Sequence, residues 1–225
     1  MEQTKNTQKP TIPTWTASSL DLFKTCPYRF YRQRVVRDVQ DVMGEKAKWG
    51  VKVHKAFEDA VNYGDPLPPS CQQWAPLVEK VKGLTGEKLP EFKFSITDAF
   101  LPTAWTKAWS RGIADLVVRS GETVAILDYK TGKRKASDQL SLYAGFAFAY
   151  WPEVQTVHTA FVWLPDRKID RKTWTREETQ DIWSLWLPTV RRMELAYEKN
   201  DWPARPCGLC KGWCPVKDCQ FNGGE

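Results

Sequence analysis

Apolar and polar residues alternate along the chain in stretches whose spacing names an element type. Trp49, Val53, Ala56, Phe57 and Ala60 fall on one face at helical period, which predicts an amphipathic helix over residues 45–63. Thr16-Ala17-Ser18-Ser19 offers N-cap chemistry just before Leu20, Leu22 and Phe23, and Pro27 interrupts the helix that starts there. Tyr28, Phe30 and Tyr31, mixed with Arg29, Arg32 and Arg34, predict a second, partly basic helical turn. Asp65–Pro69 is a loop, and Trp74, Leu77, Val78 and Val81 predict a further helix. Three strands follow, Phe92–Ile96, Gly112–Val118 and Thr123–Tyr129, the last two joined by hairpin chemistry at Arg119-Ser120-Gly121-Glu122. Ala136–Tyr150 is helix-prone, Val154–Leu164 is a strand ending at Pro165, and Trp174–Lys199 is a long amphipathic helix in which Pro188 favours a kink. Helices, a meander, β–α–β and a final helix predict an α/β or α+β fold with a mixed sheet.

Composition narrows the class. A chain of 225 residues points to one domain. Residues 1–15 read as a flexible lead, 16–202 as the core, and 203–225 as a Cys-rich tail. Lys plus Arg is 33 and Asp plus Glu is 27, so the net charge is +6, which suits a polyanionic partner without requiring one. No apolar run is long enough to cross a bilayer, and residues 1–13 lack the apolar core of a secretory signal. The expected location is cytoplasmic. There the six Cys stay reduced, and clustered ones bind metal more often than they form disulfides.

Candidate chemistry concentrates in Arg111–Gly132. Asp115 and Asp128 interrupt apolar strands, and Lys130 follows Asp128 by two places, on the same side of its strand. If Ser120-Gly121 forms a two-residue turn, Asp115 lies opposite Ile126, and both carboxylates converge with Lys130 on one face. A three-residue loop would reverse that parity. Two such carboxylates repel each other unless a cation lies between them, and hard oxygen ligands suit Mg²⁺ or Mn²⁺. Taken alone, the same residues also fit a surface salt bridge. Two helical pairs change the picture. His54 and Glu58 share one helix face, and so do Gln139 and Tyr143 on an otherwise apolar helix.

In order, these pieces are Gly50-x-x-x-His54, Gly112-Ile113-Ala114-Asp115, Leu127-Asp128-Tyr129-Lys130-Thr131-Gly132 and Gln139-Leu140-Ser141-Leu142-Tyr143. The set resembles the RecB-like branch of the PD-(D/E)xK nuclease superfamily over about residues 16–219, with Ala114 where the family name has proline. The resemblance implies a restriction-endonuclease-like α/β fold, a mixed central sheet flanked by helices. It implies His54, Asp115, Asp128 and the backbone carbonyl of Tyr129 as metal ligands, Lys130 as the catalytic lysine, and Gln139 and Tyr143 as residues positioning DNA or the lysine. The implied activity is metal-dependent hydrolysis of DNA, as an exonuclease on single strands or ends, in recombination, repair or processing, for a chain of the kind phages encode. The rivals are a non-catalytic DNA-binding module and a redox or sensor protein on the same fold.

Five Cys are candidates for one further site. Cys207, Cys210, Cys214 and Cys219 crowd the tail, and Cys26 stands near the N-terminus. Four thiolates hold zinc or an iron–sulfur cluster, and the tail alone has four. By resemblance to AddB-type subunits and the CRISPR adaptation nuclease, the set is Cys26, Cys210, Cys214 and Cys219 around a 4Fe-4S cluster, with Zn²⁺ the alternative. Cys207 is a fifth candidate through its C-x2-C pair with Cys210, and Cys71 is a plain thiol. Basic runs at Arg29–Arg37, Lys130–Lys135 and Arg167–Lys172 are candidate phosphate contacts, and Trp105 or Trp109 a candidate stacking platform. Most of the 12 Trp are expected in the core.

Overall fold

A computed structural model describes residues 12–41 and 43–223. Its centre is a five-stranded sheet in the order β1-β2-β3-β4-β5. The strands are β1 (Glu87–Ile96), β2 (Ser110–Ser120), β3 (Thr123–Lys130), β4 (Thr156–Trp163) and β5 (Lys168–Thr175). All neighbours are antiparallel except β3 and β4, which run parallel. That parallel pair needs a crossover, and α5 (Gln139–Tyr150) provides it. The sheet is therefore mixed, and helices flank it on both faces.

One face carries the larger core. It joins α1 (Ala17–Thr25), α5 and α6 (Thr179–Lys199) to inward residues of the sheet, among them Phe94, Val117, Ile126 and Phe161. Every residue of α5 from Leu140 to Phe148 is buried, as expected of a helix apolar all round. Trp183 of α6 approaches it so closely that a Cβ on Gly145 would lie 2.9 Å from the indole. The opposite face carries α3 (Glu45–Asn62) and α4 (Ala75–Lys82), whose Val53, Phe57 and Val78 pack with Tyr129, Val162 and Leu164. Adjacent positions of β3 thus serve opposite cores, the alternation a half-polar strand cannot show.

Sequence pattern and structure diverge at four places. The sequence pattern predicts no strand at β5, only the basic run Arg167–Lys172 and a helix from Trp174. The composition of β5, KIDRKTWT, is too charged to read as a strand, but it is an edge strand, where Lys and Arg discourage further pairing. The last helix accordingly begins at Thr179 rather than Trp174, and it runs through Pro188. The helix expected from Ala136 begins at Gln139. Trp15, expected to close a flexible lead, is fully buried and bridges Ser110 at the start of β2. Residues 1–11 of that lead lie outside the described residues. Elsewhere α1 starts with the anticipated cap, Thr16 and Ser19 bonding reciprocally. Pro27 opens α2 (Pro27–Phe30), which continues as a π-helical turn over Tyr31–Val36. Among the described residues no helix is long and apolar enough to cross a membrane.

Candidate active site

The hairpin turns at Gly121-Glu122, not Ser120-Gly121, because Ser120 pairs with Thr123 and Gly121 takes the left-handed backbone (φ 56°). The register therefore slips by two, an even number, so the faces are kept while the partners change. Ile126 pairs with Val117, and the register extended by one place sets Asp115 opposite Asp128. The ladder itself stops at Leu116–Leu127. Beyond it the Asp115 carboxylate, rather than a backbone carbonyl, accepts the Tyr129 N–H. On the other side Pro90 pairs with Leu116 and Phe92 with Ala114, while Glu91 between them is unpaired in left-handed backbone (φ 48°). Asp115 thus sits at a gap where both neighbouring ladders loosen, and carboxylates reach into it from β1, β2 and β3.

Helix α3 closes one side of the gap. His54 Nδ1 lies 2.9 Å from Asp115 Oδ1. Ligand atoms of His54, Asp115 and Glu91 all lie within 4.8 Å of one another. Asp128 is not in that group. Its oxygens are taken by Lys130 Nζ, at 2.8 and 2.9 Å. Helix α5 closes the other side. Gln139 Oε1 accepts from Lys130 Nζ at 3.1 Å, and Gln139 Nε2 donates to the Tyr143 hydroxyl at 2.7 Å. That hydroxyl faces the Ile113 carbonyl at 2.7 Å and Asp128 Oδ2 at 3.2 Å, with a single proton to give. Gln139 and Tyr143 therefore fix the lysine and the carboxylate from the i, i+4 face the pattern indicated.

Glu91 escaped the sequence reading. The signal available was Pro90-Glu91 at the head of an alternating strand, since proline in a strand marks an edge or a bulge. Glu58, expected beside His54, lines the same cleft as His54 and Glu91, with Lys55 at 3.2 Å.

Electrostatics favour a cation here. Burial, with the charge of Asp115 added, pushes the Asp128 carboxyl up to about 6 against the pull of Lys130. Glu91 is raised too, by burial first and then by Asp115. Burial opposes a charge on His54, but the hydrogen bond and charge of Asp115 outweigh it and raise its pKa. Oxygen-rich donors with one imidazole and too little positive charge fit a hard divalent ion.

This makes a prediction for metal-free protein. A carboxyl whose folded pKa is raised destabilises the folded state once ionised. The penalty is absent below its unfolded pKa and complete above about pH 6. Asp128→Asn should therefore gain stability over wild type as pH rises from 4 to 7, by about 2 kcal/mol. Urea unfolding in EDTA at both pH values measures it, and a difference independent of pH would show that Asp128 carries no such strain.

The Cys-rich tail comes back to the N-terminal helices. Cys26, Cys207, Cys210, Cys214 and Cys219 line one cleft beside Arg29 and Arg205. Cys26 caps α2, and its sulfur accepts the N–H groups of Arg29 (3.5 Å) and Arg205 (3.4 Å). Arg32 bonds Asp38 and, 186 residues away, Asp218 (2.7 Å). Cys71 is buried in the α3 core.

Several expected nucleic-acid contacts are engaged elsewhere. Arg29 and Arg32 are neutralised by Asp41, Asp38 and Asp218, and Arg134 by Asp170. Trp109 packs edge-on to Trp15 and donates to Glu194 at 3.1 Å. Trp105 lies under Arg111, 4.6 Å from the ring centroid.

Known proteins place this arrangement. A candidate exonuclease from Eubacterium rectale shares the fold at a TM-score of 0.53 and 12% identity, over 93% of this chain and 91% of that one. A second solved structure, SSO0001, covers 95% of this chain and 88% of that one at 14% identity, but its TM-score of 0.41 carries no weight. No curated protein matches the sequence. The family model of the PD-(D/E)XK nuclease superfamily matches residues 14–219. Those residues include the gap in the sheet, both flanking helices and all five clustered Cys, and the chain belongs to the PD-(D/E)XK nuclease superfamily.

Proposed function

We propose that this nuclease is an exonuclease of the RecB-like branch, acting on single-stranded DNA or DNA ends in recombination, repair or processing, as phages encode. The observation that supports it most is the convergence of Asp115, Asp128 and Lys130 with His54 in one gap of the sheet. Asp115, Asp128, His54 and the Tyr129 carbonyl would hold Mg²⁺ or Mn²⁺, with Glu91 as a further ligand. When bound, the ion supplies Lewis-acid polarisation of the phosphodiester and a template for the attacking water. Lys130 faces the reacting phosphate and offsets the charge that develops on its oxygens. Gln139 keeps its amine aimed there, and Tyr143 fixes the Asp128 carboxylate. Water adds to phosphorus, the bond to the leaving oxygen breaks, and that oxygen takes up a proton.

A 4Fe-4S cluster on Cys26, Cys210, Cys214 and Cys219 belongs to the same reading. Among the described residues no three of the thiols come within 4.8 Å of one another. Tetrahedral zinc at its usual bond length needs sulfurs ~3.8 Å apart. A four-iron cubane binds each thiolate to a different iron and so suits a wider set. The cluster would join the first helices to the tail and serve structure rather than electron transfer.

The test uses protein purified without oxygen, assayed with Mn²⁺ on end-labelled linear and on circular single-stranded DNA. Linear DNA should be degraded from an end and the circle spared, with Asp128→Asn slower by about a thousandfold. Equal cutting of the circle overturns the exonuclease mode, and an active Asp128→Asn overturns the site. Brown protein containing iron supports the cluster, whereas colourless protein containing zinc refutes it and leaves the nuclease standing.

A further inference from the structure

A second cleft opens one strand away from Lys130, on the α3–α4 side of the sheet. Its wall includes Val162, Trp163 and Leu164. Val162 and Trp163 pair with Tyr129 and Lys130, and Leu164 N–H bonds the Lys130 carbonyl at 2.9 Å. The cleft wall therefore lies ~4.8 Å, one strand spacing, from the backbone of the proposed catalytic lysine. Its volume is about 290 Å³, at the lower edge of the range that receives a small organic group.

The lining is polarised in a particular way. Leu77 and Ile169 provide apolar surface, and Ile169 is half exposed on the edge strand. Lys80, Arg167 and Lys168 rim it, and no acidic side chain lines it. Arg29, Arg32, Arg119 and Arg134 are all neutralised by carboxylates, but among the described residues none of these three rim cations has an ion-pair partner. Three unpaired cations around an apolar floor complement a ligand with a flat apolar body and several negative charges.

We propose that this cleft is a nucleotide subsite. An unpaired base of the DNA strand lies over Leu77 and Ile169, and Lys80, Arg167 and Lys168 hold the phosphates on either side. The identity of the ligand rests on the nuclease reading, because DNA is the polyanion that must reach Lys130. An unpaired base fits better than a paired one, since a base within a duplex is already stacked and cannot enter a pocket without leaving it.

The experiment reads binding without cleavage, by fluorescence anisotropy of a labelled oligothymidylate in EDTA. The Lys80→Gln/Arg167→Gln/Lys168→Gln protein should bind roughly a hundredfold more weakly at 0.1 M salt, with the slope of log K against log salt smaller by ~2, as the loss of three single-strand phosphate contacts requires. Ile169→Ser should weaken binding about threefold or more with the slope unchanged. A control triple, Arg192→Gln/Lys199→Gln/Lys217→Gln, removes the same charge elsewhere. Wild-type binding by the rim variant, or an equal loss in the control, overturns the subsite. Wild-type binding by Ile169→Ser overturns the base pocket. A protein that binds in this way yet never cuts would refute the nuclease reading and leave the subsite in place. Circular dichroism melting confirms that each variant is folded.

Discussion

Lys130→Ala is expected to slow phosphodiester cleavage by about a thousandfold while leaving Mn²⁺ binding as tight as in wild type, or tighter. The rate effect follows from removing a cation aimed at the gap where charge develops on the phosphate, a loss of the size seen when a single preorganised electrostatic donor is deleted. The metal effect follows from position. The Lys130 amine contacts both oxygens of Asp128, and it competes with any cation for that buried carboxylate. Removing it frees a ligand. Asp128→Asn should do the opposite and weaken metal binding along with activity. Gln139→Ala should lie between wild type and Lys130→Ala, about tenfold slower, because the amine keeps Asp128 but loses its second anchor. Single-turnover cleavage together with calorimetric titration of Mn²⁺ separates these outcomes. A Lys130→Ala protein within tenfold of wild type would remove the lysine from the chemistry.

Trp15→Ala is expected to lower the melting temperature by about 10 °C. The indole is fully buried, edge-on to Trp109 at 5.1 Å and stacked near Trp186 at 6.2 Å. Trp→Ala in such a site costs about 3–5 kcal/mol through lost burial and the cavity left behind. Among the described residues the Trp15 Nε1–H has no hydrogen-bond partner, so its removal restores about 1 kcal/mol and sets the net cost near the lower end. For a chain of this length each kcal/mol is worth about 2–4 °C. Trp15 also bonds the backbone of Trp109 (3.1 Å) and Arg111 (3.0 Å), at the root of the strand that carries Asp115. Loss of the ring should therefore reduce activity as well as stability. Calorimetric melting tests it, and a drop below 3 °C would mean that the cavity collapses without cost.

The legibility of the site followed the range of the interactions that make it. Asp128 with Lys130, and Gln139 with Tyr143, could be read from the sequence because strand and helix periods fix which side chains share a face. The partner of Asp115 was misplaced because hairpin register depends on which residues turn, and Ser120-Gly121 and Gly121-Glu122 are equally plausible as two-residue loops. The face survived since the slip was even. Glu91 could not be read at all. Its place in the site depends on an unpaired, left-handed residue in an edge strand, set by the register against β2 far along the chain. β5 was missed because an edge strand carries charges where an inner strand carries Val or Ile. The many tryptophans, opaque as composition, resolve largely into packing. Trp15, Trp109, Trp183 and Trp186 join one core, and Trp74 stands in the other.

The ion pair between Arg32 and Asp218 has a bearing on the order in which the molecule is made. Closing a loop of 186 residues costs ~5 kcal/mol of chain entropy, whereas an exposed ion pair gives back at most about 1 kcal/mol. The pair cannot draw the ends together; it can form only after the sheet between them has already brought them close. The sheet that carries Asp115, Asp128 and Lys130 must therefore be in place before this pair can lock the tail against the N-terminal helices.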